Sequence, residues 1–199
     1  ICGVFGFFYI SAILYFHYKY PELRWNWDNI DTSKIKFPKS FSWGTATASH
    51  QVEGDCINNN WYFWENQKDE NGHPRIKDNQ KAGAACDHWN RYKEDIKLIK
   101  NLGVTHYRFS LEWSKIEPNK GDYNQNVINH YSEVIDALIE QKITPVITLH
   151  HFTNPIWFDQ LGAFEKEENI TYFVSFCEMV FEKYSSRVKN WCTINEPEV

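Results

Sequence analysis

The residues best suited to chemistry fall in four short strings. Thr193-Ile194-Asn195-Glu196-Pro197 sets an amide beside a carboxylate. A carboxyl group there could protonate a leaving oxygen. The amide could hold a ring hydroxyl, a contact that strengthens as oxocarbenium charge develops, and the two together suit glycoside hydrolysis. Pro197 fixes its own φ and biases Glu196 toward extended backbone. Strict alternation would separate the two side chains, so a bulge or strand-end twist must aim both at one pocket. In Thr105-His106-Tyr107-Arg108-Phe109-Ser110-Leu111-Glu112-Trp113 the period of two puts His106, Arg108 and Ser110 on one face. With Tyr107, Phe109 and Leu111 against helices, Arg108 points inward. A guanidinium there calls for a carboxylate, either a catalytic one that it holds ionised or the partner in a structural ion pair. Gln51, in Ser49-His50-Gln51-Val52-Glu53-Gly54, offers a donor and acceptors that suit either a sugar diol or loop backbone. His150 and His151 are adjacent, so on a strand they face opposite ways and cannot easily share a metal ion. One of them lining a pocket and donating to a hydroxyl is the better reading. No metal or cofactor is expected.

These strings sit at the ends of regular elements. Helical spacing of apolar residues runs over 87–102, 124–142 and 169–185. Gly103 stops the first helix. Strands are expected over 41–49, 104–111, 143–151 and 188–195, enriched in β-branched and aromatic residues. Residues 54–84 are polar and read as a long surface loop. The order β-α-β-α-β-α-β from Phe41 onward predicts an α/β fold with parallel strands under covering helices. It fits a doubly wound open sheet or the first half of an eight-stranded barrel. No G-x-G-x-x-G follows a strand, which disfavours a dinucleotide fold. Polar and aromatic residues crowd the carboxyl ends of the strands, which is where β/α barrels place their active sites.

The 199 residues carry 21 Lys and Arg against 26 Asp and Glu, a net charge of −5, so nucleic acid is not an expected partner. Aromatics make up 17%, with 14 Phe, 11 Tyr and 9 Trp, a content that suits sugar clefts and ordinary cores alike. Three segments are expected. Residues 1–18 are uncharged and apolar-leaning, long enough for a membrane anchor or a signal. Residues 19–36 read as a linker, and 37–199 as the folded body. With an anchor or signal the body would be lumenal or extracellular, and otherwise cytoplasmic. Asn169-Ile170-Thr171 then reads as a glycosylation acceptor. Five Cys at long spacings suggest no zinc site; a Cys56–Cys86 bridge is possible in an oxidising compartment, and Cys177 and Cys192 read as core fillers. The chain opens on Ile1, its one Met is Met179, and both ends read as cut.

Residues 37–199 resemble glycoside hydrolase family 1, the retaining β-glucosidases and β-galactosidases. The resemblance rests on five ordered strings. They are Phe41-Ser42-Trp43-Gly44-Thr45-Ala46-Thr47-Ala48, Gln51-Val52-Glu53-Gly54, Asp87-His88-Trp89-Asn90-Arg91-Tyr92, Tyr107 to Trp113, and Thr193 to Pro197. It implies a (β/α)8 TIM barrel, with about the first four strands and three helices present. It also implies that Glu196 is the general acid/base and that Asn195 contacts the sugar 2-hydroxyl. Gln51 and His151 would contact the 3- and 4-hydroxyls, and Arg108 would partner the nucleophile. The implied partner is a small-molecule β-glycoside, with no cofactor. Thioglucoside-cleaving members can have Gln in the acid/base place, and Glu196 argues against that activity. Two departures leave substrate preference open. His150-His151-Phe152-Thr153-Asn154-Pro155 replaces the more frequent His-Trp-Asp-Leu-Pro form, and Lys115 stands where Arg is usual. The family's nucleophile lies in a Thr/Ser-Glu-Asn-Gly string late in the barrel. Glu70-Asn71-Gly72 comes far too early to be it. Hydrolysis is therefore expected of a longer chain and not of these residues alone. The alternative is a non-catalytic, membrane-anchored sugar- or protein-binding relative.

Overall fold

The computed structural model describes residues 2–20 and 31–198. They belong to two units, Ile1–Phe41 and Ser42–Val199.

In the first unit, the uncharged run forms helix α1, Cys2–Lys19. Large apolar side chains project on every side, among them Phe5, Phe8, Ile10 and Leu14. Gly3, Gly6, Ser11, His17 and three tyrosines dilute the apolar run. Among the described residues no helix is long and apolar enough to cross a membrane, so the membrane-spanning expectation for 1–18 is not met. Of the expected linker, residues 21–30 lie outside the described residues. Beyond them Thr32–Lys34 forms one 3₁₀ turn, with the Asp31 side chain accepting from the Ser33 N–H.

The second unit begins with strand β1, Gly44–Ala46, and passes into helices α2, Ser49–Val52, and α3, Asn60–Glu65. Helix α4 spans His88–Asn101, strand β2 His106–Ser110 and helix α5 Trp113–Ile116. Helix α6, Gln125–Glu140, leads to strand β3, Thr144–His150. Helices α7, Ile156–Gln160, and α8, Ile170–Tyr184, precede strand β4, Asn190–Ile194. The strands are parallel in the order β1-β2-β3-β4, with Arg108 opposite Ala46 and Val146, and His150 opposite Ile194.

The covering helices bury the positions that their spacing marks. These are Tyr92 and Ile96 of α4, Val127 to Leu138 of α6, and Phe173, Phe176, Val180 and Tyr184 of α8. Gly103 ends α4 with φ +77°, a conformation that favours glycine. The Asn124 side chain accepts from the N–H groups of Asn126 and Val127 and starts α6. Asn124→Ala is expected to lower stability by about 1 kcal/mol, as read from urea unfolding. Trp113 forms the centre of an aromatic pile. Its ring centroid lies 4.7 Å from Phe158, 4.9 Å from Phe176, 5.6 Å from Phe173 and 5.7 Å from Trp157, the last at 89°. Its Nε1 donates to Glu117 Oε2 over 2.7 Å.

Four expectations change. The first strand is three residues long, because the chain turns into α2 at Ser49, and Gln51 therefore sits on a helix. The expected loop over 54–84 contains α3 and a 3₁₀ turn at Lys77–Asn79. Cys56 and Cys86 are free thiols, one buried and one exposed. Asn169 is buried, and its Nδ2 donates to the carbonyls of Leu161 and Ala163. The nitrogen that a glycan would need is thus engaged in holding the start of α8.

Candidate active site

Three strands meet at Arg108. Its Nε donates to Thr148 Oγ1 over 2.7 Å, and its Nη2 donates to Asn195 Oδ1. Among the described residues its hydrogen-bond partners are thus a hydroxyl and an amide. The Asn195 N–H donates to the His150 carbonyl over 2.9 Å and extends the β3–β4 pairing by one residue. Because Arg108 holds Oδ1, the Asn195 Nδ2 is the atom left to donate elsewhere.

The next residue breaks the strand. Glu196 has φ +44°, in the left-handed region, and not the extended backbone expected before Pro197. The clash with the proline ring disfavours the right-handed helical region in particular. The left-handed turn avoids that region at a cost of about 1–3 kcal/mol of strain. It supplies the strand-end twist that the sequence demanded: Asn195 and Glu196 both line one cleft of about 550 Å³. Trp61, His150, Phe152, Phe164, Ile194 and Pro197 complete its wall.

Gln51 and His151 come together beside this cleft. They line a small cavity of about 20 Å³ with Ala48, His50, Trp61, Phe152 and Thr153. Trp61 and Phe152 border both spaces, with their rings stacked at 6.0 Å and 17°. His151 is held below the usual histidine range, first by burial and then by the Arg108 charge, with Glu196 pulling the other way. Its imidazole is therefore neutral at pH 7, and its Nδ1 is buried without a hydrogen-bond partner. His150 faces differently: it is buried, and its Nε2 meets Asn154 Oδ1 at 2.9 Å. The two histidines thus do separate work, as alternation requires. Among the described residues no cluster of three His, Cys, Asp or Glu side chains is placed to hold a metal.

Sequence reasoning missed Trp61, Phe152 and Phe164 as wall residues. For Trp61 a signal was present, because Asn59 stands before an aromatic run as a cap would. Its Oδ1 accepts from the Tyr62 N–H over 2.8 Å and starts α3.

A buried carboxylate, Glu53, pairs with the half-buried Lys115. Lys115 Nζ meets Glu53 Oε2 at 3.0 Å and the Gly54 carbonyl at 2.9 Å, and sits 4.1 Å from the Trp89 ring centroid. The other Glu53 oxygen accepts from the Tyr131 hydroxyl over 2.6 Å. Burial raises the Glu53 carboxyl above its ordinary range despite the Lys115 charge and the Tyr131 donation.

A parallel β/α sheet that gathers a carboxylate, an amide and a guanidinium at its strand ends, beside aromatic walls, has the arrangement that β/α barrels place on their active-site face. The sheet and its three covering helices form a partial (β/α)8 barrel. Residues 33–199 match the family model described as Glycosyl hydrolase family 1, and the chain belongs to that family. It is 40% identical over 167 residues to Beta-glucosidase A of Thermotoga maritima, covering 82% of this chain and 37% of that protein. It is 39% identical over 169 residues to the Cytosolic beta-glucosidase of Homo sapiens, covering 83% and 36%. A solved beta-glycosidase from Pyrococcus horikoshii superposes with a TM-score of 0.72 at 40% identity, covering 82% and 36%. The chain thus spans somewhat more than a third of the length of these relatives.

Proposed function

We propose that the chain is part of a retaining β-glycosidase acting on β-glucosides, and that it carries the general acid/base and the contacts to the non-reducing sugar. The observation that supports this best is the placement of Asn195 and Glu196 on one cleft by the left-handed turn. Glu196 gives its proton to the departing glycosidic oxygen, then takes one from the water that releases the sugar. Asn195 Nδ2, freed by the Arg108 contact, donates to the 2-hydroxyl. Gln51 and neutral His151 bind the 3- and 4-hydroxyls. Trp61 and Phe152 offer aromatic faces to the sugar or its aglycone.

Retention needs a second carboxylate about 5–5.5 Å from the first. Glu196 is the one carboxylate among the described residues lining the cleft. Glu70-Asn71-Gly72 forms an exposed turn, with the Asp69 carboxylate accepting from the N–H groups of Asn71 and His73. The nucleophile is therefore assigned to sequence beyond these 199 residues, facing the Arg108 guanidinium.

The complete gene product is expected to hydrolyse an aryl β-glucoside and to release the β-anomer first, as followed by proton NMR. The 199-residue chain alone is expected to give no turnover above its Glu196→Gln variant. Release of the α-anomer first, or turnover by the short chain, would overturn this assignment.

A further inference from the structure

We propose that Glu112 is a positioning residue that locks together the three segments carrying the sugar contacts. The inference rests on the glycon-binding roles proposed above for Gln51 and His151.

Glu112 follows β2 and is fully buried. Its Oε2 accepts from Ser49 Oγ at 2.8 Å and Thr153 Oγ1 at 3.1 Å. Its Oε1 accepts from Ser114 Oγ at 2.6 Å and Asn59 Nδ2 at 3.3 Å. Each donor outside its own turn stands two residues from a residue that lines the cleft or the small cavity beside it. Ser49 precedes Gln51, Asn59 precedes Trp61, and Thr153 follows His151. The three segments are far apart in the chain, and one carboxylate is their common partner. Only an acceptor-only group with lone pairs in several directions can take all four donations at once.

The tie reaches one step further. The Tyr62 N–H fixes Asn59 Oδ1, so Asn59 Nδ2 is the atom that faces both Glu112 and His50 Nδ1, the latter at 3.1 Å. His50 therefore accepts at Nδ1 and carries its proton on Nε2. Its ring lies edge-on to Trp61 with centroids 6.1 Å apart. Two side chains can read neighbouring hydroxyls of one sugar only when their spacing is held to about 0.5 Å. Neither Gln51 nor His151 is fixed by its own strand: Gln51 sits on the four-residue α2, and His151 lies just past the end of β3. Glu112 supplies the missing reference point.

The test uses the complete protein and compares kcat/KM for an aryl β-glucoside with its 3-deoxy and 4-deoxy analogues. This ratio does not depend on how much enzyme is folded, so a loss of stability alone leaves it unchanged. In Glu112→Gln the oxygen can still serve Asn59, while the amide nitrogen can no longer accept from Ser49 and Thr153. The discrimination ratio is expected to fall about tenfold, with KM for the glucoside rising. Thr153→Val, which keeps the side-chain shape and removes one tie, carries the same expectation and stands in if the Glu112 variant does not fold. Gln51→Ala reports on the underlying contact. If Gln51→Ala lowers the ratio and both other variants leave it within about twofold, the positioning role is overturned. If Gln51→Ala also leaves the ratio unchanged, the glycon reading falls, and the role of Glu112 with it.

Discussion

Glu196→Gln in the complete protein is expected to lower kcat by about 10²–10⁴ on an alkyl β-glucoside. The amide keeps the shape and the left-handed turn of Glu196 but has no proton of suitable acidity to give. An alkoxide leaves poorly without that proton, so the first chemical step takes the full loss. A dinitrophenyl glucoside departs without protonation, so its first step is expected to stay within about tenfold of normal. The second step still needs a base to activate water. The variant should therefore release one burst of dinitrophenolate and then stall. An unchanged kcat on the alkyl substrate would remove Glu196 from the role.

The second large effect is on stability. Lys115→Met is expected to cost about 3–5 kcal/mol near neutral pH, because it strands a carboxylate that has no other cation paired with it among the described residues. The pair is largely withdrawn from water, with side-chain exposures of 15% for Lys115 and 5% for Glu53. Urea unfolding as a function of pH separates the two partners. Burial works against the Lys115 charge, but the Glu53 charge and hydrogen bond, with Cys56 and Glu112, together outweigh it, so the Lys115 pKa lies above its ordinary 10.5. The contribution from the Lys115 charge is therefore complete just below that value and is lost as pH rises through the higher folded value. The unsubstituted protein should weaken at strongly alkaline pH. Lys115→Arg should not, since a guanidinium stays charged there. On the acid side the Glu53 carboxyl is raised by burial, so the penalty in Lys115→Met shrinks as pH falls and the stranded carboxyl takes a proton. A penalty that did not vary with pH would mean that packing of the Lys115 stem, and not the ion pair, holds this corner.

The β/α alternation and its three covering helices were legible because helix period and strand period are local properties of the chain. Gly103 and the apolar spacing of α6 and α8 mark their elements without help from distant residues. The first strand came out short, and Gln51 moved onto a helix. Nothing local tells a strand-like run from one that pairs for only three residues before it must turn to bury Ser49 against Ser110 and Glu112. Glu196 was read as extended because the rule for residues before proline is an average. The need to bring Glu196 to the same side as Asn195 decided otherwise. Of the site, the residues standing in distinctive strings were legible from sequence. Glu112 was visible only as a letter in one of those strings, since three of its four side-chain partners lie 41 to 63 residues away. Asn169 was misread for the same reason, because its burial depends on how the chain before α8 folds back over it.

The aromatic pile around Trp113 gives the fold an optical signature of its own. Two indoles held 5.7 Å apart at nearly a right angle must couple their transitions, and such coupling disappears when side-chain packing loosens even if the helices persist. Trp113 is shielded from water, whereas Trp43, Trp61 and Trp64 are 43–48% exposed. Light absorbed at this indole pair thus reports whether α7 and α8 have docked on α5. The emission of the exposed indoles tracks solvent at the surface.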